Sequence, residues 1–166
     1  MEIREAKLVL LSADLAGYSR ACAHRGALEI GAFLDAWYRE CARVIRERGG
    51  RVVKFIGDAV LAVWSEDRVI DAVDAATALA DALRGVCGDW RVALGANVHL
   101  AIVAEGEYGP PDDRRYDVIG SGVNHLFLMG GGNGVRISEP VFRQLPDAAR
   151  AAWSKHRPPA TYTLRC

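Results

Sequence analysis

The sequence has no excess charge of either sign: 21 Lys and Arg balance 21 Asp and Glu in 166 residues. A chain without a basic field has no bulk electrostatic hold on a nucleic-acid backbone or an anionic membrane, so neither partner is expected. No apolar run approaches the roughly 18 residues of a membrane span. Behind the charged start Met1-Glu2-Ile3-Arg4-Glu5 there is no apolar signal-peptide core. Cysteine is sparse. Cys22, Cys41, Cys87 and Cys166 form no CxxC pair, and His24, His99, His125 and His156 lack ligand spacing. This speaks against a zinc site and for reduced structural thiols. Internal repeats, low-complexity segments and linkers are also missing. The expectation is a cytosolic protein folded as a single domain over residues 1–166.

What is present is an apolar half of the residues, enough for a sizeable core. Lys7 to Ala13 suits a buried strand. From Gly26 the spacing of Leu28, Ile30, Phe33, Leu34, Trp37, Tyr38, Cys41, Val44 and Ile45 turns helical, and Gly49-Gly50 predicts the helix end. Arg51 to Ile56 and Ala59 to Trp64 read as strands joined by a Gly57-Asp58 hairpin. Ser65-Glu66-Asp67 offers an N-cap to a helix from about Arg68 to Leu83. Asp89 to Glu105 is strand-like, Gly109 to Asp113 a loop, and Tyr116 to Gly120 the start of another element. Val123 to Met129 looks helical, Gly130 to Gly134 a break, Val135 to Ser138 a strand. A short helix over Glu139 to Leu145 and a strand over Thr161 to Leu164 complete the chain. The mixed order predicts an α+β, ferredoxin-like fold, with a mixed or antiparallel sheet and helices on one face.

Two carboxylates stand at predicted turns. Asp14 is placed at the end of the first strand and Asp58 in the hairpin, both flanked by small residues. If their strands are neighbours, the acids repel each other unless a cation fills the gap. Magnesium suits such a pair when phosphate oxygens complete its shell. The turn at Gly17, Tyr18 and Ser19 offers backbone N–H groups to a phosphate. An acid pair beside an N–H cradle is the chemistry of a metal–triphosphate site. Ordinary turn chemistry also uses Asp and Gly-Asp, so the spacing alone leaves both readings open.

The segments LSADLAGYS (residues 11–19), GGRVVKFIGDAVLAVW (49–64) and RRYDVIGSGVN (114–124) resemble the catalytic domain of class III adenylate/guanylate cyclases in order and separation. The resemblance implies the cyclase ferredoxin-like fold and a homodimer whose active sites are built from both chains. It implies two divalent ions, Mg or Mn, held by Asp14 and Asp58 with the Leu15 carbonyl assisting. The expected reaction closes a nucleoside triphosphate into a 3′,5′-cyclic monophosphate and releases pyrophosphate. Lys54 and Asp117 fall where this family reads adenine, a donor beside an acceptor. Asn124 matches the asparagine that orients the ribose. ATP is therefore the favoured substrate.

Some positions depart from the family pattern. Leu128 stands where an arginine usually steadies the phosphates, one helical turn after Asn124. Ser121-Gly122 replaces Asp-Ala, Asn97-Val98-His99 replaces His-Thr-Gly, and Pro158-Pro159-Ala160 lies near the place of a phosphate-binding lysine. Losing a phosphate-facing arginine costs orders of magnitude in phosphoryl transfer. Three readings stay open. Another cation substitutes, with Arg114, Arg115, Arg136, Lys155 and Arg157 as candidates. Or the domain is a weak or inactive nucleotide-binding regulatory module. Or the substrate has changed to UTP or CTP, as in small pyrimidine cyclases of bacterial anti-phage signalling, with Phe55, Tyr116, His125 and Phe127 narrowing the base pocket.

Overall fold

The computed structural model describes residues 1–156 and 161–165. In chain order the elements are β1 (Arg4–Ala16), α1 (Tyr18–Cys22), α2 (Ala27–Glu47), β2 (Arg51–Ile56), β3 (Ala59–Ser65), α3 (Val69–Val86) and β4 (Ala93–Tyr108). Then follow β5 (Arg115–Ile119), α4 (Ser121–Leu128), β6 (Gly134–Ser138), α5 (Glu139–Gln144), α6 (Asp147–Arg150), β7 (Trp153–His156) and β8 (Thr161–Leu164). The strands form one sheet in the order β2-β3-β1-β4-β6-β8-β7, with β5 pairing the distal part of β4. All neighbours are antiparallel except β4 and β6. The α+β, mostly antiparallel architecture expected from the sequence is the one observed.

Alternation along β1 builds the two faces of the sheet. Val9, Leu11, Ala13 and Leu15 point to the larger core, with Phe33, Trp37 and Cys41 of α2 and Ala72, Ala76 and Leu79 of α3. Leu8 and Leu10 point the other way, toward Val103, Val118, Leu126 and Met129. The two long helices thus cover one face, while the short α4 packs on the other. Full burial of each large aliphatic side chain contributes roughly 1.5–3 kcal/mol, and Leu10, Leu11, Ile45, Leu61 and Leu79 are all fully buried. At the end of α2, the N–H groups of Gly49 and Gly50 cap the carbonyls of Arg46 and Ile45, both at 2.9 Å. Gly49 holds φ 70°, a conformation that glycine adopts without a Cβ penalty.

Three local expectations need correction. Asp14 does not end its strand: β1 continues to Ala16 because β4 pairs with it as far as Ala93. Ser65 does not cap α3; it closes β3, its hydroxyl donates to Asp67 (2.6 Å), and Arg68 precedes the helix without a side-chain cap. The strand expected from Asp89 begins at Ala93, after a turn through Trp90. The short α1, α6 and β7 have too little periodicity to be read from the sequence.

Candidate active site

Two side-chain constellations stand out. The first is the acid pair. The Gly57-Asp58 turn joins β2 and β3, with Gly57 at φ 60°. Asp58 Oδ2 accepts the backbone N–H of Leu15 at 2.8 Å, which clamps the hairpin to the strand that carries Asp14. Helix α2 holds the same turn from behind. The Trp37 indole donates to the Asp58 carbonyl (3.1 Å), and the Tyr38 hydroxyl donates to the Gly57 carbonyl. Tyr38 also stacks on Phe55, with ring centroids 4.0 Å apart. Acids 44 residues apart in the chain are therefore neighbours by construction.

Electrostatics record that proximity. Partial desolvation in the cleft raises the Asp14 pKa above its ordinary value, and the Asp58 carboxylate raises it further. The Arg136 guanidinium and Asp14's own backbone N–H oppose the rise. Asp58 also helps to push the Tyr18 phenol up to about 12, behind desolvation and its contacts with Cys22. The space beside Asp14 is made by Gly95, its cross-strand partner. A Cβ there would lie 2.4 Å from Asp14 Oδ1 and 2.5 Å from the Gly132 carbonyl oxygen.

A divalent cation fits this arrangement. The acid pair is short of positive charge, and its hard oxygen donors suit Mg or Mn. Among the described residues no three His, Cys, Asp or Glu side chains converge. A metal held here would therefore draw its remaining ligands from backbone, water and substrate. The Gly17, Tyr18 and Ser19 backbone follows directly. Gly17, at φ 88°, precedes the five-residue α1. Beyond it a cavity of about 800 Å³ is lined by Gly17, Arg20, His24, Arg25, Trp90 and Arg91.

The second constellation is Lys54 with Asp117. Lys54 on β2 donates to Asp117 Oδ2 on β5 at 2.6 Å, and Asp117 Oδ1 accepts the Val118 N–H at 2.8 Å. The side chains keep 43% and 24% of their surface, so the pair is open to a ligand. Asn124 lies exposed on α4, and among the described residues its side chain has no hydrogen-bond partner. Leu128, at 77% exposure, presents an apolar surface where a cation was expected. No hydrogen bond or ion pair among the described residues links Asp14 or Asp58 to Lys54, Asp117 or Asn124.

Of the substitute cations, Arg115 is forked onto Asp113, with both bonds at 3.0 Å. Arg114 donates to the Glu107 carbonyl at 2.8 Å. Lys155 lies on β7 near Glu139, 5.9 Å from the Tyr162 ring centre. Arg157 and Pro158-Pro159-Ala160 lie outside the described residues. Sequence reasoning missed Gly95, which looks like an ordinary strand glycine, and the Trp37 and Tyr38 clamps, which look like ordinary core aromatics. It also missed the orphaned buried atoms Asn97 Oδ1 and His99 Nδ1. Desolvation, reinforced by the neighbouring His125, lowers the His99 pKa to about 4, so this imidazole is neutral at physiological pH.

No family model matches the chain. It is 28% identical over 154 residues to an adenylate cyclase of Anabaena cylindrica, covering 84% of this chain and 31% of that protein. The chain thus spans about a third of the length of that relative. Its fold superimposes on the guanylyl cyclase Cya2 with a TM-score of 0.85, 20% identity, and coverage of 99% of this chain and 94% of that one. The adenylyl cyclase CyaB from P. aeruginosa gives 0.85 at 15% identity, covering 100% and 97%. The catalytic core of a rhodopsin-guanylyl cyclase with converted specificity, in complex with ATPalphaS, gives 0.81 at 18% identity, covering 100% and 99%. The resemblance to class III nucleotide cyclase catalytic domains is therefore carried by the fold as well as by the sequence segments.

Proposed function

We propose that this chain is a nucleotide cyclase domain that converts a nucleoside triphosphate, ATP by preference, into its 3′,5′-cyclic monophosphate and pyrophosphate. The observation that carries this reading is the Leu15 N–H bond to Asp58, which holds two carboxylates side by side where a triphosphate and its cations can dock. Asp14, Asp58 and the Leu15 carbonyl would hold two divalent ions. Bound there, the ions lower the pKa of the ribose 3′-hydroxyl and neutralise phosphate charge. The backbone N–H groups at Gly17, Tyr18 and Ser19 bind phosphate oxygens. Asn124 positions the ribose. Lys54 donates to adenine N1 and Asp117 accepts from its 6-amino group, replacing the bond that they make with each other. The 3′-oxygen then bonds to the α-phosphorus, the bond to the bridging oxygen breaks, pyrophosphate leaves, and the hydroxyl proton passes to solvent. Positioning and charge neutralisation carry most of the rate.

The likeness to cyclase catalytic domains supports a homodimer with composite sites, each taking its acids from one protomer and its base-reading groups from the other. No described helix is long and apolar enough to cross a membrane. Cys22, Cys41 and Cys87 are free thiols, which suits a reducing cytoplasm. One specific observation favours a second reading, a weak or regulatory nucleotide-binding module: the exposed apolar Leu128.

Incubation with ATP, GTP, CTP and UTP separately, in Mg and in Mn, with mass spectrometry of the products, tests both. Cyclic AMP upholds the principal reading. Cyclic CMP or UMP keeps the reaction and moves the substrate to the pyrimidines. No product from a folded dimer selects the regulatory module. An acid-pair variant mixed with a Lys54 variant should regain activity if sites are shared.

A further inference from the structure

The cation missing from α4 has a structural counterpart on β6. Arg136 lies two residues after Gly134. Gly134 pairs with Gly95, which in turn pairs with Asp14, so Arg136 projects from the same face of the sheet as Asp14, two strands away. Its side chain folds onto the loop that borders that acid. Nη2 donates to the Gly131 carbonyl at 2.7 Å and to Asn133 at 3.2 Å, and Nη1 reaches the carbonyls of Gly132 and Gly134 at 3.5 Å. The Gly132 carbonyl oxygen in turn approaches within 2.5 Å of the Gly95 Cβ position that Asp14 Oδ1 also crowds. The loop is shaped around this arginine. Gly130, Gly132 and Gly134 all take positive φ, and a Cβ on Gly130 would lie 3.1 Å from Arg136 Cδ and Nε. Asn97 holds the loop from the other side, donating to the Gly130 carbonyl at 3.0 Å.

All four Arg136 partners are neutral carbonyls, so its charge is oriented but not cancelled. Among the described residues the alternatives fail on place or charge. Arg115 is neutralised by Asp113 and stands at the far end of the 16-residue β4, roughly 40 Å of strand from Gly95. Arg114 neighbours it. Lys155 is on β7, separated from β6 by β8.

We propose that Arg136, held by the Gly130–Gly134 loop beside Asp14, contacts the phosphates of the bound nucleotide and supplies, from the protomer that carries the acid pair, the positive charge that Leu128 does not. The proposal rests on the cyclase reading above. The ligand class is a metal-bound polyphosphate, so pyrophosphate serves as a probe free of base identity and turnover.

The test is calorimetric titration of the full chain, Arg136→Met and Arg136→Lys with Mn alone and with Mn plus pyrophosphate, alongside melting curves. Losing a charge-assisted contact should weaken pyrophosphate binding about tenfold in Arg136→Met, and less in Arg136→Lys. Mn alone should bind at least as tightly to Arg136→Met, because a positive charge near the acids is gone. A purely loop-supporting arginine gives the opposite sign: weaker Mn binding in Arg136→Met, with pyrophosphate affinity lost only in proportion, and this overturns the proposal. Unchanged pyrophosphate binding in a folded Arg136→Met also overturns it and leaves the cyclase reading standing. No Mn-dependent pyrophosphate binding by the unsubstituted chain overturns both.

Discussion

The acid end and the base end of the site are built differently. Around Asp58, a backbone N–H, an indole and a phenol converge on one turn, and Gly95 clears the space beside Asp14. Around Lys54 and Asp117 there is one bond between two partly exposed side chains, and Asn124 stands alone. The acid end must hold two repelling charges in register before any ligand arrives, so its geometry is fixed by packing. On the proposed reading the base end need only leave a donor and an acceptor available for the ligand to complete. That contrast also explains why the acid end carries the perturbed titration: Asp14 is raised by its surroundings and its neighbour.

The largest expected effect comes from removing charge at the acid end without disturbing the clamp. Asp58→Asn keeps an oxygen to accept the Leu15 N–H, so the melting temperature should change little while cyclase activity falls by on the order of 10²–10³-fold. Activity retained in that variant would break the contrast outright.

Gly95→Ala is next. Its Cβ meets Asp14 Oδ1 and the Gly132 carbonyl at 2.4 and 2.5 Å, and backbone yields poorly. We expect about 1–3 kcal/mol of destabilisation by denaturant unfolding, with Mn binding weakened in step.

At the base end, Lys54→Met should cost less than about 1 kcal/mol of stability, because an exposed ion pair contributes little. Its effect should appear as lost discrimination among the four triphosphates in kcat/KM, with Mn binding unchanged. A large stability loss would show that the base end is also fixed by packing.

The smallest effect is a pH-dependent one. Because the folded state raises the Asp14 pKa, the stability contribution of this group is fully present below its unfolded pKa and is lost as pH rises through the folded value. Without metal, Asp14→Asn should therefore melt slightly above the parent at neutral pH, and the gap should close as pH falls into the carboxylate range. Added Mn should reverse the order. A gap independent of pH would remove the repulsion argument.

Much of this was legible from local pattern. The α2 stripe, the Gly49-Gly50 stop, the Gly57-Asp58 hairpin and the paired strands are short-range features whose residues lie within a few positions of each other. The acid pair and the Lys54/Asp117 pair were legible through motif order. The strand extension past Asp14 was not, because it depends on β4 pairing as far as Ala93. The roles of Gly95 and Trp37 were equally hidden, since each acts on a partner tens of residues away.

By itself the sequence determined the α+β class, the hairpin turn that carries Asp58 and the absence of an arginine at Leu128, because these depend on residue type and local spacing. Only the tertiary structure decided that Asp14 and Asp58 share a cleft, that Lys54 and Asp117 meet across β2 and β5, and that Arg136 folds onto the glycine loop bordering Asp14. Those facts depend on which strands become neighbours and on which face each side chain emerges. Register, set by burial over the whole sheet, settles both.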